Sequence, residues 1–258
     1  MLVVLFILGL IFGSFVNVCI YRIPLDKSVI SPRSFCPSCK KPIFWYDNLP
    51  VLSYILLKGR CRFCHGKIAI QYPIVELLTA LLFIVGWMKF RGMSALLFIL
   101  TGLGAIIISG IDLKHQIIPD SLSVFLIISG LAVSPLSPFL FQTTLLSKLI
   151  NSAGGMLWGG LFFYFVAIAG KKIFKQEALG GGDIKLMAGW GAWVGWPNVL
   201  LCILLASFLG VMVGVPLRLA RKIQKFQPIP FGPFLCLGAM LILFFSKWLS
   251  TYPWLFIK

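Results

Sequence analysis

The 258-residue chain is 59% hydrophobic, carries only 12% charged residues and has a mean hydropathy of +0.99, whereas soluble domains carry about 25% charge. That excludes an ordinary soluble domain, because a bilayer-spanning helix needs roughly 20 mostly apolar residues and this chain holds many such stretches. The net charge of +16 would suit nucleic acid in a soluble protein. No nucleic-acid module is recognisable here, and basic loops in a polytopic protein report topology and contact with anionic lipid; phospholipid, not nucleic acid, is the expected partner. In chain order, the first apolar run, 2–20, is too long for a signal-peptide core and lacks an A-x-A-like site after it, so it is read as a retained span. The hydrophilic segment 22–72 follows. Further spans are expected at 74–90, 94–112, 120–140, 149–170, 184–197, 199–217 and 231–249, of which 184–197 is short and rich in Gly and Trp. The expected fold class is an all-α polytopic membrane protein of about eight transmembrane helices, with a small cytoplasmic zinc-binding domain between the first two. The expected divisions are 1–21, the first transmembrane helix; 22–73, the tetracysteine domain; and 74–258, a membrane-embedded domain of about seven helices.

Lys and Arg set the orientation. With the N-terminus outside, the loops 22–72, 113–119, 171–186 and 218–230 hold 18 of the 23 basic residues, and the other face holds five. The positive-inside rule then places 22–72 and the loops after the third and fifth spans in the cytoplasm.

Four of the seven cysteines form two C-x-x-C pairs, Cys36/Cys39 and Cys61/Cys64; Cys19, Cys202 and Cys236 lie in apolar runs and read as small buried hydrophobes. Two such knuckles match a closed four-thiolate zinc site, with no open position for catalysis. A domain this short gains folding energy from the metal. A disulfide framework conflicts with a reducing compartment. A thiol oxidoreductase lacks its strand–helix unit. The C-R-F-C-H string has the form of a haem attachment motif, but that reading leaves the first knuckle unexplained. His65 is an alternative ligand that four thiolates make unnecessary.

The chain has only seven acids: Asp26, Asp47, Glu76, Asp112, Asp120, Glu177 and Asp183. Carboxylates near hydrocarbon are costly and are functional candidates by default. Asp112 ends a long apolar run, and Asp183 follows Gly180, Gly181 and Gly182. Both fall at cytoplasmic ends of different spans, so they can share a water, one carboxylate ionised and the other protonated. The glycines permit close approach of an extended peptide. The plainer alternatives are an N-cap for Asp183, a local pairing with Lys114 or a turn cap for Asp112, and a helix N-cap for Asp120. Glu76 near the start of the second span suits the helix dipole, and Glu177 is placed to orient the glycine run or meet substrate.

The run Gly13-Ser14-Phe15-Val16-Asn17-Val18-Cys19-Ile20-Tyr21-Arg22-Ile23-Pro24 resembles the N-terminal signature of bacterial type IV prepilin peptidases. The tetracysteine segment, Trp45-Tyr46-Asp47-Asn48-Leu49-Pro50 and Tyr72-Pro73-Ile74-Val75-Glu76-Leu77-Leu78-Thr79 follow in that family's order. So do Asp112 with Ile118-Pro119-Asp120, the G-x-G-D of Gly180 to Asp183 followed by Ile184-Lys185-Leu186, and Pro230-Phe231-Gly232-Pro233-Phe234. The resemblance implies an inner-membrane aspartic protease that removes the basic leader of type IV prepilins and type II secretion pseudopilins after a glycine. It implies Asp112 and Asp183 as the catalytic pair and Gly180, Gly182, Lys185 and Glu177 as an active-site loop. It further implies Zn2+ on Cys36, Cys39, Cys61 and Cys64, and methylation of the new N-terminus from S-adenosylmethionine. No Rossmann-type glycine fingerprint marks a donor site, which leaves Asp47 and Glu76 as candidates. A coupled transporter is the main rival from another class, and it predicts midplane acids and paired repeats; a non-catalytic zinc scaffold leaves the glycine-flanked aspartates unexplained. Oligomeric state is not encoded in any of these signals.

Overall fold

The computed structural model describes residues 1–140, 142, 144–175, 179–220 and 229–249. Among them the chain is helical, with no strand beyond the isolated bridges Phe35–Pro42 and Arg60–Lys67. The helices are α1 (Leu2–Arg22), α2 (Leu52–Leu56), α3 (Gln71–Lys89), α4 (Met93–His115), α5 (Asp120–Val133), α6 (Leu145–Phe174), α7 (Gly181–Val194), α8 (Trp196–Leu219) and α9 (Gly232–Leu249). Each of the eight expected apolar segments is a helix. Six of them, all but α5 and α7, are long and apolar enough to cross a membrane. The other two have 14 residues each, or about 21 Å of helix against a hydrocarbon core of about 30 Å. The expected span 120–140 is cut short because Pro135 and Pro138 lack the N–H a helix needs; a 3-10 turn, Ser134–Leu136, follows instead.

The chain divides into two compact units, Met1–Ile107 and Ile108–Lys258. In the first, α1 lies against α3 nearly backbone to backbone. A methyl group at Gly9 would stand 2.5 Å from Cα of Ala80, and one at Gly13 would stand 2.6 Å from Cα of Glu76. Small residues at such a spacing let helices gain van der Waals contact that lipid cannot supply. One turn on, Asn17 Nδ2 donates to the carbonyls of Tyr72 (3.0 Å) and Gly13 (3.3 Å). In the hydrocarbon region an unpaired amide of this kind is costly, so the bond fixes the register.

In the second unit α7 is the core. Leu186, Met187, Trp190 and Val194 are almost wholly buried. Gly155 of α6 and Gly191 of α7 meet where a Cβ on either would run into the other's carbonyl. Ser152 Oγ donates to the Ala192 carbonyl (2.7 Å), and Trp193 Nε1 donates to the Leu126 carbonyl of α5 (3.1 Å). A helix enclosed by neighbours need not span the bilayer, since its ends are satisfied within protein. At its C-terminus Gly195 turns the chain with φ +79°, and Asn151 Oδ1 accepts the Trp196 N–H (2.9 Å) that opens α8.

Candidate active site and candidate metal centre

The two knuckles of the first unit have the same backbone. Cys36 N–H donates to Lys41 O (2.9 Å) and Lys40 N–H to Cys36 O (2.8 Å); Cys61 N–H donates to Gly66 O (2.9 Å) and His65 N–H to Cys61 O (3.0 Å). Lys40 and His65 occupy matching left-handed positions, φ 58° and 54°. His65 is therefore the turn residue of its knuckle. The four Sγ atoms lie within 4.8 Å of one another, and those of Cys36 and Cys64 are 3.8 Å apart. A tetrahedron of thiolates at the Zn–S length of about 2.3 Å has edges of about 3.8 Å, so the cluster fits a zinc-sized ion. Backbone N–H groups of Cys64 and Phe63 lower the Cys61 pKa to about 7, while, against the Gly66 N–H, burial and the neighbouring thiols push Cys64 up to about 11, so a metal entering the cluster would displace protons from it.

The segment around Trp45–Asn48 is tied to the second knuckle. Arg62 donates from Nε (2.7 Å) and Nη2 (2.6 Å) to the Asp47 carboxylate, a bidentate pair whose Asp side is nearly buried. The same guanidinium lies over the Tyr46 ring at 5.4 Å, and Phe44 packs on Phe63 at 5.6 Å. Val51 N–H donates to Glu76 Oε2 at 2.7 Å. Glu76 thus does not answer the dipole of α3 as its position near the start of the span suggests. The helix begins earlier, at Gln71, because Pro73 is tolerated in its first turn. Glu76 instead holds a loop residue whose φ of 60° is rare for a β-branched side chain.

In the second unit several helix ends converge. Asp112, buried near the C-terminus of α4, accepts the Gly232 N–H at Oδ2 (2.9 Å) from the first residue of α9. This is an anion on the positive end of a helix. Asp183 is the third residue of α7 and not its N-cap; its half-buried carboxylate reaches back to accept the Gly180 N–H (3.3 Å). The two carboxylates are electrostatic neighbours. Ile118, in the link between α4 and α5, lies against the first turns of both α7 and α9: a Cβ at Gly182 would stand 2.9 Å from its Cβ, and one at Gly232 would stand 3.4 Å from its Cδ1 and 2.7 Å from Asp112 Oδ2. At Gly181 an added Cβ would meet nothing within 4 Å among the described residues. Lys185 Nζ reaches both oxygens of Asp120 at 2.7 Å, joining the second turn of α7 to the first turn of α5.

Three expectations are corrected by these placements. Asp120 is not an N-cap: Pro119 occupies that position, and the Asp120 carboxylate faces Lys185. Gly182 and Lys185 sit in the opening turns of α7, not in a loop before it; the helix tolerates its glycines there because Asp183 secures the N-terminal N–H of Gly180. Gly180 is the N-cap itself. Glu177 lies outside the described residues. The link from Gly232 to Asp112 and the position of Ile118 carry no local signal, although both residues stand in the motifs quoted above.

These features define a polytopic helical membrane protein with paired acids at one end of a helix bundle and a separate four-cysteine metal site. Residues 7–90 match the bacterial peptidase A24 N-terminal domain, and residues 99–215 match the type IV leader peptidase family. The prepilin leader peptidase/N-methyltransferase of Myxococcus xanthus (strain DK1622) is 40% identical over 220 residues, which cover 84% of this chain and 63% of the relative's length. The proteins of the same description from Aeromonas hydrophila and Pectobacterium carotovorum subsp. carotovorum are each 34% identical, covering 95% and 91% of this chain and 92% and 89% of their own lengths. No solved structure matches. The chain belongs to the type IV leader peptidase family, a family of proteases.

Proposed function

We propose that the chain removes the basic leader of type IV prepilins and pseudopilins after a glycine, at the cytoplasmic face of the inner membrane, with Asp112 and Asp183 as the catalytic pair. The observation that carries this reading is that the two carboxylates, on separate helices, are electrostatic neighbours, each bound to a backbone N–H at the N-terminus of α9 or α7. One carboxylate, ionised, takes a proton from water as the oxygen attacks the scissile carbonyl. The other, protonated, donates a hydrogen bond to that carbonyl and then supplies a proton to the leaving amine. The Gly232 N–H holds Asp112 in place throughout. Among the described residues nothing crowds Gly181, which leaves room for an extended substrate backbone. Gly180, Gly182 and Lys185 shape that end of α7, with Lys185 fixing α5 through Asp120; Glu177 is the fourth residue proposed for this region. A basic leader stays in the cytoplasm while an apolar pilin helix lies in the bilayer, which puts the bond to be cut at the membrane surface.

The domain assignment proposed with this activity keeps 1–21 as an anchoring helix, 22–73 as the zinc domain and 74–258 as the protease. Zn2+ on Cys36, Cys39, Cys61 and Cys64 supplies folding energy and no catalytic position. Methylation of the new N-terminus from S-adenosylmethionine is proposed from the names of the relatives. Asp47 and Glu76 are already engaged by Arg62 and by the Val51 N–H, so neither offers the donor a free carboxylate, and no step is assigned to it. Incubating the full-length chain with a prepilin and weighing the products tests both activities. The reading requires loss of the leader at its glycine junction, and with S-adenosylmethionine present the mature product gains the mass of one methyl group. An intact precursor under all conditions would overturn the peptidase assignment; cleavage without mass gain would overturn only the methylation.

A further inference from the structure

At the C-terminal half of α1 a cleft of about 370 Å3 opens against the loops 28–34 and 48–50. Ile11, Phe15, Val18 and Arg22 line it, and at 3.6 residues per turn they form one stripe along the helix. Ile11 and Phe15 are 53% and 48% exposed, so the apolar wall runs on into the outward surface of a helix long enough to span a bilayer. Arg22, the last residue of α1, is buried, and its Nη1 and Nη2 donate to the carbonyls of Ser28 (2.9 Å) and Pro32 (2.6 Å). Those bonds fix the loop that carries Arg33. Arg33 lines the same cleft, is exposed, and has no hydrogen-bond or ion-pair partner among the described residues. Asn48 adds an amide, and no acidic side chain lines the cavity.

We propose that this cleft binds one anionic phospholipid, with an acyl chain along Ile11, Phe15 and Val18 and the phosphate on Arg33, backed by Arg22 and Asn48. The lining is amphiphilic in the order a lipid is: apolar over two turns of a spanning helix, then cationic where that helix ends. Guanidinium groups bind phosphate through charge-assisted forked hydrogen bonds. Two arginines without a carboxylate disfavour a basic leader peptide and a sulfonium donor alike. A free phosphate would leave the apolar wall without a partner. The bound lipid would pin the loops 28–34 and 48–50 to α1 at the membrane surface.

Native mass spectrometry of the full-length chain, delipidated and titrated with phosphatidylglycerol or phosphatidylcholine, tests the assignment. Wild type is expected to retain one phosphatidylglycerol in preference to phosphatidylcholine. Arg33→Gln is expected to reduce that preference by about fivefold, the worth of one basic residue at a charged lipid surface. Phe15→Ala is expected to weaken both lipids while keeping the headgroup preference. Lys27→Gln, an exposed residue outside the cleft, is expected to change nothing. Equal losses in Arg33→Gln and Lys27→Gln would mean a diffuse basic surface and overturn the site. Displacement of the lipid by excess inorganic phosphate would make it a free-anion site, and displacement by S-adenosylmethionine would make it the donor pocket; either result overturns the lipid assignment.

Discussion

Asp112 and Gly232 are 120 positions apart in sequence, yet the carboxylate of one is held by the backbone N–H of the other. The geometry leaves no room for a side chain at Gly232: a methyl would stand 2.7 Å from Asp112 Oδ2. Gly232→Ala is therefore expected to push the carboxylate out of line and lower cleavage by about tenfold to a hundredfold, a size typical of small misplacements of reacting groups, with the thermal stability of the protein little changed. Thermal melting and initial rates measured side by side check this. Asp120→Asn breaks the pair with Lys185, which is largely exposed on both sides. Exposed pairs contribute about 0–1 kcal/mol, so this variant is expected to keep most of its activity in the same rate assay. The acids themselves were legible in the sequence because an apolar chain with seven carboxylates leaves few to choose from. What each acid touches was not. The partners of Asp112, Asp120 and Glu76 lie 120, 65 and 25 residues away, and no local spacing encodes such pairings.

Among the elements, the cysteine knuckles were the most legible, because C-x-x-C fixes two ligands on one tight turn whatever surrounds it. Their matching backbone hydrogen bonds and left-handed turn residues bear this out in detail. Cys61→Ser is expected to lower the metal content below one equivalent per chain by elemental analysis. It is also expected to open the segment 22–72 to trypsin, since a metal on the four thiolates would supply folding energy to a segment whose apolar contacts are few, such as the Phe44–Phe63 pair. A fully protected segment in a metal-free variant would contradict that. Helix lengths were less legible. Hydropathy sees an apolar run, but the 14 residues of α7 stop at Gly195, and α5 stops before Pro135. The glycine contact between α6 and α7 was likewise hidden, because two residues without side chains carry no hydropathy signal. Gly155→Leu is expected to force these helices apart and cost at least ~3 kcal/mol, the upper part of the range for overpacking, measured as a loss of thermal stability in detergent.

For the whole molecule, six helices among the described residues can cross a membrane by length and composition; α7 is buried within the second unit, whereas α5 buries Leu126 and exposes Phe125 and Ile128. The orientation rests on 18 of 23 basic residues falling on one face of the expected topology. A cysteine placed at Lys27 is expected to react with an impermeant thiol reagent only in inside-out vesicles, and one placed at Arg91 only in right-side-out vesicles. The reverse pattern would contradict the proposed cytoplasmic placement of the four-cysteine domain. The family match spans both units, with residues 7–90 and 99–215 matched to two domains of one protease family. The order of motifs along the chain made this membership legible before any contact was known.

The most direct test of the paired-carboxylate account is the initial rate of prepilin cleavage by Asp112→Asn and Asp183→Asn beside the wild-type chain in the same membranes. Each substitution keeps the shape of its side chain and removes the group that carries the proton, so each is expected to lower the rate by about a hundredfold to ten-thousandfold while the folded protein persists. Normal cleavage by either variant would contradict the account and turn attention to Asp120 and Glu177.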